Sequence, residues 1–163
     1  MNSLNSLKEQ TDAKIEETRK SKPEFMKSVD DIIEQARAFQ QGGDAIALNK
    51  RAPSFVLPDQ QGNRVSSTDL LEASAIIITF YRGSWCPYCN LQLRALQARL
   101  DDIHELGAKL IAITPQLPDD SMTENQISEM GFTVLSDQDA NVASQYGVAW
   151  TVPDSLLEHM RVD

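Results

Sequence analysis

The feature that most constrains the fold is a seven-residue run, Ala75-Ile76-Ile77-Ile78-Thr79-Phe80-Tyr81. It is apolar without alternation and rich in β-branched side chains. A strand with one wet face would alternate, so this run reads as a strand covered on both faces, as in a parallel sheet. Lys109-Leu110-Ile111-Ala112-Ile113-Thr114 and Phe132-Thr133-Val134-Leu135 repeat the pattern. Helical stretches separate the three. One runs from about 87 to 106, with Leu93, Leu96, Leu100 and Ile103 on a stripe and Gly107 as its stop. A second opens at Pro118 with Asp119 and Asp120 in its first turn and closes at Gly131. A short one spans 141–146. Strand, helix, strand, helix, strand is the order of an α/β layer fold with right-handed crossovers.

The flanks read differently. Positions 1–50 hold 8 basic and 9 acidic residues, and the first 43 residues form a helical arm. Ser21-Lys22-Pro23-Glu24 fits a capping box with an early proline. Phe25, Val29, Ile32, Ile33, Ala36 and Phe39 then recur at helical spacing up to Gly42-Gly43. The main domain takes residues 44–163. It begins with short strands at 54–57 and 64–66 around the turn Gln61-Gly62-Asn63. Ser67 or Thr68 is expected to cap a short helix carrying Leu70 and Leu71.

Charge and length narrow the function classes. The chain has 163 residues, with 24 acidic against 15 basic side chains, a net charge of −9. That balance argues against nucleic-acid binding, which needs clustered Lys and Arg. The apolar run at 75–81 is far short of the ~20 residues of a membrane-spanning helix. The first residues lack the apolar core of a secretory signal. The expectation is a cytoplasmic protein that binds neither membrane nor nucleic acid.

Both cysteines lie in Trp85-Cys86-Pro87-Tyr88-Cys89, where the first buried strand gives way to a helix. At the helix N-terminus, unpaired N–H groups and the dipole favour a thiolate on Cys86. Pro87 suits the first helical position, having no N–H to satisfy. Cys89 lies one turn on, within disulfide reach. This makes Cys86 the outer nucleophile and Cys89 the resolving thiol. Residues 73–100 contain Arg82, Arg94 and Arg99 and no Asp or Glu, which lowers the cost of a thiolate. Arg82 is the candidate to stabilise the thiolate or hold a substrate oxyanion. Ser84, Trp85 and Tyr88 flank the cysteines and are candidates for substrate contact. Structural zinc needs two more ligands; His104 and His159 are far apart and no further cysteine exists. No metal is expected, and no cofactor beyond a redox-active Cys86–Cys89 disulfide.

The segment Phe80-Tyr81-Arg82-Gly83-Ser84-Trp85-Cys86-Pro87-Tyr88-Cys89 resembles the active-site stretch of peroxiredoxin-like proteins of the alkyl hydroperoxide reductase/thiol-specific antioxidant family. Trp85-Cys86 is also similar to thioredoxins, and Cys-Pro-Tyr-Cys to glutaredoxins. Ala52-Pro53-Ser54-Phe55, Leu57-Pro58-Asp59, Ile113-Thr114-Pro115-Gln116, Val134-Leu135-Ser136-Asp137 and Gln145-Tyr146-Gly147-Val148 extend the match in order.

The resemblance implies a thioredoxin-like fold and a thiol-dependent peroxidase. Cys86 would be peroxidatic and Cys89 resolving, with a hydroperoxide as substrate and a thioredoxin- or glutaredoxin-type reductant. The alternatives are a general thiol-disulfide oxidoreductase acting on disulfides and a non-catalytic redox-sensing module. Typical members carry proline at the position of Thr79 and threonine at that of Gly83. They also continue into a cis-proline loop, an antiparallel hairpin and a last helix. Here the hairpin is expected to be missing. Pro153 reads as a helix-start proline ahead of Leu156, Leu157 and Met160. The strand at 75–81 would then be left as a sheet edge, covered by homodimerisation, by the arm or by the tail.

Overall fold

A computed structural model describes residues 6–38, 42–117, 130–154 and 157. The chain divides into two compact units. One comprises Met1–Ala45 with Gly147–Asp163, the other Ile46–Tyr146.

In the first unit, helices α1 (Leu7–Ser21) and α2 (Pro23–Ala38) follow one another. A capping box starts α1: Glu9 N–H donates to Ser6 Oγ, and Ser6 N–H donates to the Glu9 carboxylate. The capping box expected at Ser21 does not form. Ser21 is the last residue of α1, and its hydroxyl donates back to the Glu17 carbonyl at 3.0 Å. Pro23 opens α2 without it. Arg19 and Asp30 tie the two helices with paired contacts of 2.6 and 3.1 Å. Such exposed pairs orient helices more than they stabilise them.

The second unit is built on a parallel sheet of β3 (Ala75–Phe80), β4 (Ala108–Thr114) and β5 (Thr133–Ser136), in the order β3-β4-β5. Ahead of it, β1 (Val56–Pro58) and β2 (Arg64–Ser66) pair antiparallel. Asp59 bridges from the end of β1 to Leu135 of β5. Period-2 alternation sends β4 and β5 side chains to two separate cores. Leu110, Ala112 and Val134 face helices α4 (Pro87–Gln97) and α5 (Leu100–Glu105), packing with Cys86, Cys89, Leu93 and Leu100. Ile111, Ile113 and Leu135 face the other way, onto Phe55 and Val142, with Leu57, Val65 and Leu70 alongside. This is two-sided cover for β4 and β5. In β3, for which it is also expected, only Thr79 is buried. Ile76, Ile78 and Phe80 are half-buried on one face and Ala75 and Ile77 exposed on the other, since β3 is an edge strand among the described residues. Each fully buried Leu or Ile contributes roughly 1.5–3 kcal/mol.

Several boundaries differ from the sequence reading for local reasons. The helix expected over 87–106 is split at Ala98 and Arg99, where Arg99 N–H closes a tight turn on the Leu96 carbonyl at 3.0 Å. Ser66, not Ser67 or Thr68, caps α3 (Ser67–Ala73) by accepting from Asp69 N–H. Ser67 is buried instead, and its hydroxyl accepts from Phe55 N–H at 2.9 Å. The helix expected from Pro118 falls on 118–129, outside the described residues, as do Leu156 and Met160. Leu157 N–H reaches the Pro153 carbonyl, and the described residues contain no cis peptide bond.

Among the described residues β3 has β4 as its one partner, so its other edge is unpaired. Ile77 on that strand is 40% exposed.

The junction after β5 is pinned by a buried carboxylate. Asp137 is 3% exposed and accepts from Val142 N–H at 3.1 Å and Ala143 N–H at 2.9 Å, at the start of α6 (Asn141–Gln145). Its own N–H continues the ladder to the Thr114 carbonyl at 2.8 Å. Asp137→Ala strands two donors and is expected to cost about 2–3 kcal/mol in urea unfolding. Asp137→Asn, which keeps one acceptor oxygen, is expected to cost less.

Candidate active site

The site lies where β3 ends and α4 begins. Tyr81 N–H still donates to the Ile113 carbonyl at 2.9 Å, so the chain is held to β4 one residue past the end of β3. The chain then turns sharply. Gly83 has φ +145° and is buried, and its carbonyl accepts from Cys86 N–H at 3.1 Å. Cys86 takes the N-cap position of α4 with extended backbone, and Pro87 follows as the first helical residue.

The Cys86 sulfur is where the turn's donors converge. Cys89 N–H, one of the helix's unpaired first-turn donors, points at it at 3.4 Å. Arg82 Nη2 donates to it at 2.9 Å, and the same guanidinium lies 5.4 Å above the Trp85 ring. Both cysteines are free thiols. With no acid in 73–100, nothing in this stretch of chain competes for Arg82.

The two sulfurs titrate as a pair. A hydrogen bond between the thiols raises Cys86 and lowers Cys89 to about 5. Burial raises both, and Arg82 lowers both. The spacing argument assigns the depressed thiol to Cys86. In the reduced structure the direction is the reverse: Cys89 is the depressed thiol and Cys86 is raised, because the hydrogen bond between the sulfurs favours charge on Cys89 and burial adds to the rise of Cys86. Removing the Cys89 thiol removes the largest influence raising Cys86 and leaves burial opposed by Arg82 and the helix N–H.

Burial also departs from the expected outer and inner roles. Cys86 is fully buried and Cys89 is 9% exposed. The N-cap position that gives Cys86 its donors also turns it into the core shared with Tyr81, Leu93 and Leu110. On this turn the exposed side chains are Arg82, Trp85 and Pro87, while Ser84 and Tyr88 are half-buried. Ser84 is held by its backbone: its N–H donates to Gln116 Oε1 at 2.7 Å and its carbonyl accepts from Asn90 Nδ2 at 2.8 Å. Tyr88 packs against the core by its ring. The roles of Gln116 and Asn90 were missed: Gln116 stood in the sequence only as the end of the matched stretch Ile113–Gln116, and a helical asparagine such as Asn90 carries no signal until the chain folds. Tyr81 was missed as well. Burial pushes it up to about 12, and its hydroxyl has no hydrogen-bond partner among the described residues.

Two residues stand where the resembling family differs. Thr79 is buried and accepts from Gln92 Nε2 on α4 at 3.2 Å. At Gly83 a Cβ would sit 2.5 Å from Trp85 Nε1 and 2.6 Å from Gln116 Oε1. The indole and the amide occupy the space a side chain would need. Gly83→Ala is therefore expected to lose about 2 kcal/mol or more of stability. It should also raise the first thiol titration at 240 nm by displacing Trp85 from under Arg82. A variant with the parent's titration curve would place Gly83 outside the site's machinery.

Residues 48–159 match the sequence model of the AhpC/TSA family. Peroxiredoxin Bcp of Escherichia coli K12 is 32% identical over 97 residues, covering 60% of this chain and 62% of that protein. The chain thus spans just under two thirds of this relative's length. Among solved structures, the peroxidoxin BcpB of Mycobacterium tuberculosis superposes with a TM-score of 0.59 at 22% identity, over 63% of this chain and 67% of that one. The reduced 2-Cys peroxiredoxin of Plasmodium vivax gives 0.56 at 20%, over 64% and 71%. At these identities the structures speak for the fold, which is thioredoxin-like.

Proposed function

Because the chain belongs to the AhpC/TSA family, we propose that it is a thiol-dependent peroxidase working through Cys86 and Cys89. The observation that carries the reading is the pair of free thiols one helical turn apart, with Arg82 Nη2 2.9 Å from the Cys86 sulfur.

The Cys86 thiolate attacks the terminal oxygen of a hydroperoxide. The O–O bond breaks, an alkoxide or hydroxide leaves and takes a proton, and Cys86 becomes a sulfenic acid. Arg82 stabilises charge first on sulfur and then on the leaving oxygen. The Cys89 thiol condenses with the sulfenic acid, releasing water and forming the disulfide. A dithiol donor of thioredoxin or glutaredoxin type restores both thiols and leaves oxidised. Ser84, Trp85 and Tyr88 would form the rim a substrate meets. With both sulfurs buried, each turnover requires the turn at 82–86 to open. The exposed Arg82 and Trp85 are the groups placed to move.

A general thiol-disulfide oxidoreductase is the second reading. It is favoured by the absence of any side chain at Gly83 and by Trp85, 49% exposed beside the thiols, where a protein disulfide could dock. A cytoplasmic location goes with either reading; among the described residues no helix is long and apolar enough to cross a membrane. The unpaired edge of β3 supports homodimerisation or another edge-covering contact.

Peroxide consumption coupled to a dithiol donor, measured beside insulin disulfide reduction, tests the two readings. Cys86→Ser is expected to abolish peroxide turnover. Cys89→Ser is expected to stop cycling and let peroxide carry Cys86 to sulfinic acid, detected as added mass. Insulin reduction far outrunning peroxide turnover would decide for the oxidoreductase. Peroxide rates no better than a free thiol's would reject the peroxidase.

A further inference from the structure

Both hydrogen-bonding groups of the Ser84 peptide unit are taken by side-chain amides from elsewhere in the chain. Gln116, beyond the end of β4, accepts its N–H at 2.7 Å across 32 positions of sequence. Asn90, in the first turns of α4, donates to its carbonyl at 2.8 Å. Ser84 stands between Arg82 and Cys86. On one side is Gly83, where the space a Cβ would take is filled by the Gln116 amide and the edge of the Trp85 indole. On the other is Trp85, whose face carries the Arg82 guanidinium. A chain of contacts therefore runs from Gln116 through Gly83 and Ser84 to Trp85, then Arg82, then the Cys86 sulfur.

We propose that Gln116 and Asn90 are positioning residues that clamp the Ser84 backbone and thereby hold Arg82 against the Cys86 thiolate. The physical reason is the geometry of the donor. Arg82 is an exposed, long side chain, and such a side chain loses rotamer entropy when fixed. A rigid indole platform keeps that loss small, but the platform is rigid only while its peptide neighbours are. A short polar contact to sulfur weakens steeply once it lengthens or bends. Release of the clamp leaves both thiols in place and weakens the cation's hold on one of them. The clamp bears on the proposed redox activity only through the reactivity of Cys86, and its test reads that reactivity directly.

The experiment measures Cys86 alone, in the full chain carrying Cys89→Ser. Thiolate absorbance and alkylation by iodoacetamide are followed against pH. In that background Gln116→Met removes the acceptor at nearly constant volume, and Asn90→Leu removes the donor. Each is expected to raise the apparent Cys86 pKa by about half a unit or more, seen as a roughly threefold slower alkylation below the pKa. Arg82→Met raises it further. Adding Gln116→Met to Arg82→Met is expected to change nothing more, because the clamp acts through Arg82. Circular dichroism establishes that each variant folds; should Gln116→Met fail to fold, Asn90→Leu and its Arg82→Met double carry the test. An unchanged titration in the folded single variant, or full additivity with Arg82→Met, would overturn the proposal. Loss of peroxidase activity in the parent chain would reject the proposed function and leave this result standing.

Discussion

Burial of β4 on both faces organises the second unit. Leu110, Ile111, Ala112 and Ile113 are each at most 2% exposed, so helices must cover one side and the β1–β2 hairpin with α3 and α6 the other. Parallel pairing on both sides of β4 then brings the C-terminal ends of β3, β4 and β5 to one rim. In open α/β sheets this is where sites form, since each strand delivers a loop there. The thiol turn follows β3, Gln116 follows β4 and Asp137 follows β5 by the same rule.

At that rim the physics is a contest over one sulfur environment. Burial in an apolar core disfavours a thiolate, and the fold counters it with a cation, a helix N–H and a second thiol. The second thiol cuts both ways: it lowers the pair's first titration while raising the partner left protonated. Two free thiols in hydrogen-bond contact suit chemistry in which one sulfur attacks and the other condenses. The same arrangement suits disulfide exchange, and for that reason geometry at the sulfurs alone does not choose the substrate.

The departures from the typical family pattern are connected. With glycine at 83, the turn admits the Gln116 amide and the Trp85 edge into space that a side chain would fill. Trp85 in turn gives Arg82 a surface to lie on. Thr79, where typical members have proline, is bonded to Gln92 on the same helix that carries the cysteines. The substitutions thus tie strand, turn and helix together by polar contacts.

The local chemistry was legible in the sequence. The unalternating β-branched runs all became parallel strands, but two-sided cover holds for β4 and β5 and not for β3, where Ala75 and Ile77 stay exposed. A C-x-x-C with proline inside it, after such a strand and without carboxylates nearby, can place its thiols only at a helix start. Arg82 was legible too, since a residue four before Cys86 meets it across a single tight turn. What only the tertiary structure decided depends on contacts between distant positions. Gln116 reaches Ser84 across 32 residues, Gln92 reaches Thr79 across 13, and Tyr81 ends with its hydroxyl buried because of where α4 lands. The depth of Cys86 belongs with these. Local spacing makes it the outer thiol of the motif, and the packing of α4 on β4 leaves it no exposed surface. Periodicity and capping act within a few residues, so they are written in order along the chain; burial and polar pairing depend on which surfaces meet, and that is settled only when the layers close.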